Sequence, residues 1–336
     1  MNGYCAVCDG AYAARLLCLY ESLGVQAEPF RLFVLCLDAE TERLIGAFAR
    51  PDLVAIPLAE VLAAEPAFAA VRTQRTRVEF VFTAKPVLVG HCLRREPAAE
   101  TMTYLDGDLF FFGSPAAVRA VQGEASIALA PHRFPARLAD RAIYGTYNAG
   151  WISFRRDADG LAGLAWWRER CLEWCFDRVE DGRFTDQRYL DELPGKFGGV
   201  RVLDHAGVNA APWNVADARV ESAGGEVRID GVPLLFYHFQ GLRETLPGWF
   251  DPGFRAYGAV AGAAVRDLIY GPYLRRLRAM EQRLRAEHGI GAKVRRARED
   301  AGANGVERWK KFKQRTLAPY VRRWRGELIH GPEAKP

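Results

Sequence analysis

The sequence predicts an α/β fold with a largely parallel sheet. Through Pro57, short apolar runs of strand length alternate with segments of helical spacing, the pattern of βαβ units. At 336 residues, 49% hydrophobic and 26% charged, the chain has the composition of a folded protein with one large domain, or one domain and an appendage.

The elements follow in order. Tyr4–Val7 reads as a buried strand and Asp9-Gly10 as a turn. Leu16, Leu17, Tyr20 and Leu23 mark a helix over Ala11–Leu23 that Gly24 stops. Arg31–Leu37 is a second strand, Ala39–Ala49 a helix, and Leu53–Pro57 a third strand. Gln74–Cys92 reads as a helix interrupted near Lys85-Pro86, because proline lacks the N–H that an inner turn needs. Strands are expected at Thr101–Leu105, Ser126–Ala130, Ala149–Phe154, Val200–Asp204 and Leu234–His238. Helices are expected at Gly160–Phe176, Phe184–Leu193, Arg255–Ile269 and Leu274–His288, the last two separated by Gly271-Pro272. No internal repeat is found.

Seven cysteines are present, and Cys5-x-x-Cys8 has no second pair to complete a zinc set, so reduced core cysteines are expected. No signal peptide is expected, and no uncharged apolar run reaches the roughly 18 residues of a membrane span. The net charge of +5 is uneven: Gly271 to Pro336 holds 18 Lys and Arg against 7 Asp and Glu, which leaves the first 270 residues at −6. A basic tail on an acidic body suggests an anionic surface as its partner.

One motif dominates the search for chemistry. Asp106-Gly107-Asp108 interrupts an apolar stretch, following strand-like Thr101–Leu105 and preceding Leu109–Phe112. Carboxylates in such a context are costly to bury unless they are paired or hold a cation, and hard divalent cations take oxygen ligands. The strand's C-terminal end is also where open α/β sheets bind ligands. A surface turn between strands is the bland alternative. A second match, Asp157-Ala158-Asp159, lies in a polar stretch and reads as a solvated turn.

Five separated blocks, covering roughly residues 3 to 250, resemble the retaining, metal-dependent glycosyltransferases of family 8, in particular the bacterial branch acting on surface glycans. The resemblance implies the GT-A fold, a Rossmann-like nucleotide-diphospho-sugar transferase domain, over residues 1–250, with a helical basic extension over 251–336. In the first block, Val7, Cys8 and Asp9 would bond base and ribose and Tyr12 would stack on uracil; strand and core packing is the alternative. In Phe82-Thr83-Ala84-Lys85-Pro86, Lys85 would reach donor phosphate or sugar, or else be an ordinary surface lysine. Asp108 would bind Mn²⁺ or Mg²⁺, with Asp106 sharing the metal and bonding the ribose.

The fourth block, Asn148-Ala149-Gly150, would line the donor sugar, with a local Asx turn as the alternative for Asn148. Asp186-Gln187 would stand beside the anomeric carbon, unless Asp186 is a helix N-cap. In the fifth, His238-Phe239-Gln240-Gly241-Leu242-Arg243, His238 would complete the metal shell and Arg243 would contact the diphosphate where relatives carry Lys. A lone His on an apolar strand is otherwise a satisfied core residue.

The resemblance thus implies transfer of a hexosyl group from a UDP-sugar to a hydroxyl of a glycan or glycolipid acceptor, with retention. Two other classes remain: a phosphatase of haloacid-dehalogenase type, and an inactive membrane-associated scaffold. Basic residues interleaved with Trp309, Phe312, Tyr320 and Trp324 suggest peripheral attachment to the inner membrane face of a cytoplasmic protein. No nucleic acid partner is expected.

Overall fold

A seven-stranded sheet runs through the computed structural model, which describes residues 2–24, 29–289 and 318–331. β1 (Asn2–Cys8), β2 (Phe30–Cys36) and β3 (Leu53–Pro57) are parallel, connected through α1 (Ala13–Gly24) and α2 (Ala39–Ala47). Short helices α3 (Leu58–Ala64) and α4 (Pro66–Val71) lead to α5 (Arg77–Arg95). β4 (Thr101–Leu105) joins the other side of β1 in parallel, and β5 (Leu109–Phe111) then leaves the sheet. After α6 (Pro115–Gln122), β6 (Ile127–Pro131) pairs antiparallel with β7 (Tyr147–Arg155), which is also antiparallel to β4. α7 (Ala158–Glu173), α8 (Leu193–Lys196) and β8 (Val200–Val202), parallel to β6, complete the order β3-β2-β1-β4-β7-β6-β8. The expected class, α/β with a large, mainly parallel sheet, is the one observed.

Two apolar clusters cover the sheet, and β1 divides between them with the period of two that strands impose. Tyr4, Ala6 and Cys8 pack with α1; Cys5 and Val7 pack with α5 and α7. Burial on both faces explains why these strands read as continuous apolar runs. All seven cysteines are buried and free.

Beyond β8 lie an antiparallel sheet of β9 (Val220–Ala223), β10 (Glu226–Ile229) and β11 (Val232–Pro233), and β12 (Phe236–His238), which pairs with β5. β13 (Arg243–Leu246) and β14 (Trp249–Asp251) precede α9 (Ala263–Val265), a π turn at Arg266–Tyr270, and α10 (Gly271–His288). α11 (Ala318–Trp324) leads to β15 (Ile329–His330), which adds to β14. The Tyr273 ring of α10 stacks on Phe239 with centroids 3.7 Å apart, so residues on both sides of position 250 share one core.

Several expectations need correction. α5 runs through Pro86 without a break: a Thr76–Glu79 capping box starts it, and Ala84, Val87, Leu88 and Val89 bury both halves against one cluster. That burial offsets the roughly 3 kcal/mol an inner proline costs. Gly271-Pro272 does not separate two helices either, because the π turn before it carries the chain into α10. The helix expected at Arg255–Ile269 begins only at Ala263, after a 3₁₀ turn at Phe254–Tyr257. Asp157 is the N-cap of α7, accepting from Gly160 N–H, rather than part of a solvated turn. Trp309 and Phe312 lie outside the described residues; Tyr320 and Trp324 are exposed on α11. Among the described residues, no helix is long and apolar enough to cross a membrane.

Candidate active site

The site forms where β4 ends. Leu105 opposes Trp151 of β7, and the next N–H, that of Asp106, donates to Gly150 O at 2.8 Å. A tight turn follows, closed by Leu109 N–H to Asp106 O at 3.1 Å, and it brings the half-buried Asp106 carboxylate and the buried Asp108 carboxylate to one place. β5 then pairs with β12 so that Leu109 faces His238. That register brings His238 Nε2 to 3.2 Å from Asp108 Oδ1 and 3.9 Å from Asp106 Oδ2. One ligand atom from each of the three residues lies within 4.8 Å of the others.

Gly150 is required by this convergence. A Cβ there would fall 2.6 Å from His238 Cε1, 2.7 Å from Asn148 Oδ1 and 2.9 Å from Asp106 Oδ2. Two carboxylates and one imidazole closing around a glycine suit a divalent cation of the Mn²⁺ or Mg²⁺ kind. Burial alone would favour the neutral Asp108 acid, but the contact with His238 and the nearby Arg15 guanidinium outweigh it and hold its pKa below the usual value.

Lys85 is the central cation. α5 delivers its Nζ to 3.1 Å from Asp106 Oδ1, 3.4 Å from Asp186 Oδ2 and 3.2 Å from Ala149 O, and the residue is only 3% exposed. Burial disfavours the ammonium; the attraction of Asp106 and Asp186 more than offsets it and raises the pKa. The surface-lysine alternative is therefore excluded. Asp186 is buried, and its contact with Lys85 is an ion pair without a well-aligned hydrogen bond. Burial, with Asp106 nearby, pushes its pKa up despite Lys85. The preceding Thr185 has a φ of +46°, a left-handed conformation that a β-branched residue adopts only under strain. Gln187 is anchored: Nε2 donates to Tyr144 O at 2.9 Å, and Oε1 accepts from Asn148 Nδ2 at 3.1 Å and Ala149 N–H at 3.3 Å.

The expected site residues thus fall into three groups. Lys85, Asp106, Asp108, Asn148, Ala149, Gly150, Asp186, Gln187 and His238 come together. Val7, Cys8, Asp9 and Tyr12 lie at the adjacent end of β1, and the Tyr12 ring edge stands 4.0 Å from where a Cβ on Gly107 would be. There Val7 and Cys8 are buried, the Cys8 thiol pKa is pushed well up by burial, and Asp9 is ion-paired to Arg77 at 2.7 Å. Gly241 turns the chain after β12 with a φ of +77°. Arg243 instead pairs with Asp251 at 2.9 Å.

Three residues near the cluster went unnoticed in the sequence. Arg15 stands 5.4 Å over the Tyr12 ring and donates to Leu242 O at 2.7 Å; its place one turn after Tyr12 on an amphipathic helix was the available signal. His132 and Trp213 carry no local signal. The Trp213 ring meets His238 edge-on at 5.4 Å, and its Nε1 donates to His132 O at 2.9 Å.

No protein-family model matches the chain. It is 32% identical over 250 residues to the uncharacterised protein YfnF of Bacillus subtilis (strain 168), covering 72% of this chain and 82% of YfnF. The chain belongs to the YfnF family. The uncharacterised YfnD of the same strain is 31% identical over 269 residues, 79% of this chain and 85% of YfnD. Among solved structures, the galactosyltransferase LgtC in complex with donor and acceptor sugar analogs is similar, with 18% identity, a TM-score of 0.47, and coverage of 73% of this chain and 89% of LgtC.

Proposed function

We propose that this protein is a metal-dependent glycosyltransferase of GT-A type that moves a hexosyl group from a UDP-sugar to a hydroxyl of a glycan or glycolipid, with retention. The observation that carries the reading is the convergence of Asp106, Asp108 and His238 around Gly150, beside the buried Lys85. These are the positions that the motif resemblance assigns to metal and donor. A Mn²⁺ or Mg²⁺ ion held there would supply neutralisation of charge gathering on the leaving diphosphate.

The remaining steps belong to the chain's own groups. Lys85 keeps its proton and presents fixed positive charge beside Asp106, a preorganised arrangement that loses nothing to solvent rearrangement. Asp186 would orient donor-sugar hydroxyls. Gln187 holds its amide in backbone hydrogen bonds and is a poor nucleophile. This supports same-face attack by the acceptor hydroxyl, with the leaving phosphate taking its proton, over a covalent intermediate. Tyr12 and the end of β1 would receive the uridine. Residues 1–250 would carry the chemistry, and the basic extension 251–336 would hold the protein to the inner membrane face.

The phosphatase alternative needs its aspartate pair after the first strand, whereas here the pair follows β4. A panel of UDP-sugars with Mn²⁺, scored by thermal stabilisation and UDP release, tests the proposal. One sugar should raise the melting temperature and yield UDP. A flat response across the panel would overturn the reading.

A further inference from the structure

Hydrogen bonds around His238 can be assigned outward from backbone groups whose roles admit no choice. The carbonyl of Thr146 can only accept, so His132 Nδ1, 3.3 Å away, carries the proton. His132 is buried between Phe134, stacked at 4.6 Å, and Trp213, and burial pushes its pKa down to about 3; the ring is neutral and its Nε2 is an acceptor. Asn148 Nδ2, 3.3 Å from that Nε2, therefore donates to it.

Two further backbone groups fix the same amide independently. Gly150 N–H can only donate, and it reaches Asn148 Oδ1 at 3.0 Å. Gln187, set by Tyr144 O and Ala149 N–H, turns its Oε1 toward Asn148 Nδ2. Asn148 Oδ1 thus faces His238 Nδ1 at 3.2 Å as an acceptor, which requires Nδ1–H on His238. In the neutral ring, Nε2 then presents a lone pair toward the Asp108 and Asp106 carboxylates. Acceptors converging in this way call for a cation between them.

We propose that Asn148, backed by His132, is a positioning residue that holds His238 with Nδ1 protonated and Nε2 turned to the metal site. The proposal rests on the metal reading above and deepens it. It also gives Asn148 a different task from the sugar contact that the motif resemblance implied. Both amide protons and both oxygen lone pairs are already engaged, by Gln187, His132, Gly150 and His238.

The test combines two measurements on the full chain. Long-range ¹H–¹⁵N spectra at pH 8.5 read the protonated nitrogen of His238. Mn²⁺ titration followed by electron paramagnetic resonance reads affinity in wild type, Asn148→Ala and His132→Phe, the last keeping a ring against Phe134. Wild type should show Nδ1–H, and Asn148→Ala should lose about 10- to 100-fold in Mn²⁺ affinity, the usual loss on removing a hydrogen-bond partner of a ligand. His132→Phe should lose a smaller factor and show mixed tautomers. An unprotonated Nδ1 in wild type, or an unchanged Mn²⁺ affinity in Asn148→Ala, overturns the proposal. If wild type binds no Mn²⁺, the metal reading fails while the spectra still decide the tautomer; they also decide it if Asn148→Ala does not fold.

Discussion

His238 stands opposite Leu109 across the β5–β12 pair, which sets its Nε2 3.2 Å from Asp108 Oδ1. The site is therefore a product of register. A slip of one residue along this pair would turn His238 to the other face of the ribbon. Phe239 N–H to Asp108 O at 2.9 Å pins the same alignment from the far side.

Gly150→Ala tests how tightly the site closes. The added methyl would lie 2.6 Å from His238 Cε1 and 2.9 Å from Asp106 Oδ2, so a ligand must move. The fold should lose about 1–3 kcal/mol, the usual effect of overpacking. Mn²⁺ affinity should fall at least tenfold, as read by calorimetry. A variant that binds Mn²⁺ like wild type would show that the three residues do not close on a common ion.

Lys85→Ala leaves Asp186 buried without its cation. The loss of stability at pH 7 should be about 3–5 kcal/mol, as for other buried pairs broken on one side. Burial already raises the Asp186 pKa, and removing Lys85 raises it further. The folded state of the variant then holds this proton more tightly than the unfolded chain does, so falling pH should restore part of the loss. Urea midpoints at pH 7 and 5 check both the size and the direction.

His132 makes the fold acid-sensitive. Its ring titrates near 6.5 when free and is pushed down to about 3 in the fold. As pH falls through 6.5, the unfolded chain takes up a proton that the native state refuses, so stability drops and the effect levels off only below about 3. Between pH 7 and 4.5 this one residue should account for roughly 2–3 kcal/mol. His132→Phe should show a smaller acid loss than wild type by that amount in paired urea titrations.

Asp251 separates the two arginines that reach it. It is 3% exposed, and Arg322 forks onto both its oxygens at 2.8 Å, while Arg243 donates from Nε at 3.2 Å and Nη2 at 2.9 Å to Oδ2 alone. Burial would raise the Asp251 pKa; Arg322, Gly253 N–H and Arg243 together lower it. Arg322→Ala should destabilise by about 2–3 kcal/mol and detach β15 from β14. Arg243 has a side chain 67% exposed, and Arg243→Ala should cost under about 1 kcal/mol. If Arg243 contacts the diphosphate, that variant loses UDP affinity at near-normal stability.

The sheet and the Asp pair were legible because local rules govern them. Apolar runs covered on both faces announce β1, β2 and β4, and two carboxylates at a strand end stand out against such a background. Arrangements set by distant packing were not legible. Pro86 looked like a break because only the cluster on both sides of it shows why α5 continues. Arg322 looked like part of a basic surface because nothing nearby in sequence announces Asp251. His132 and Trp213 touch the site through contacts that have no signature in their own neighbourhoods; Asn148 was flagged by its motif, but its bonds to His132 and His238 were not legible there.

The most direct test of the central claim is UDP binding by calorimetry with Mn²⁺, with excess EDTA, and in Asp108→Ala with Mn²⁺. The arrangement of Asp106, Asp108 and His238 predicts binding in the first case and its loss in the other two, with the variant still folded by circular dichroism. UDP bound equally well in EDTA or by Asp108→Ala would contradict it.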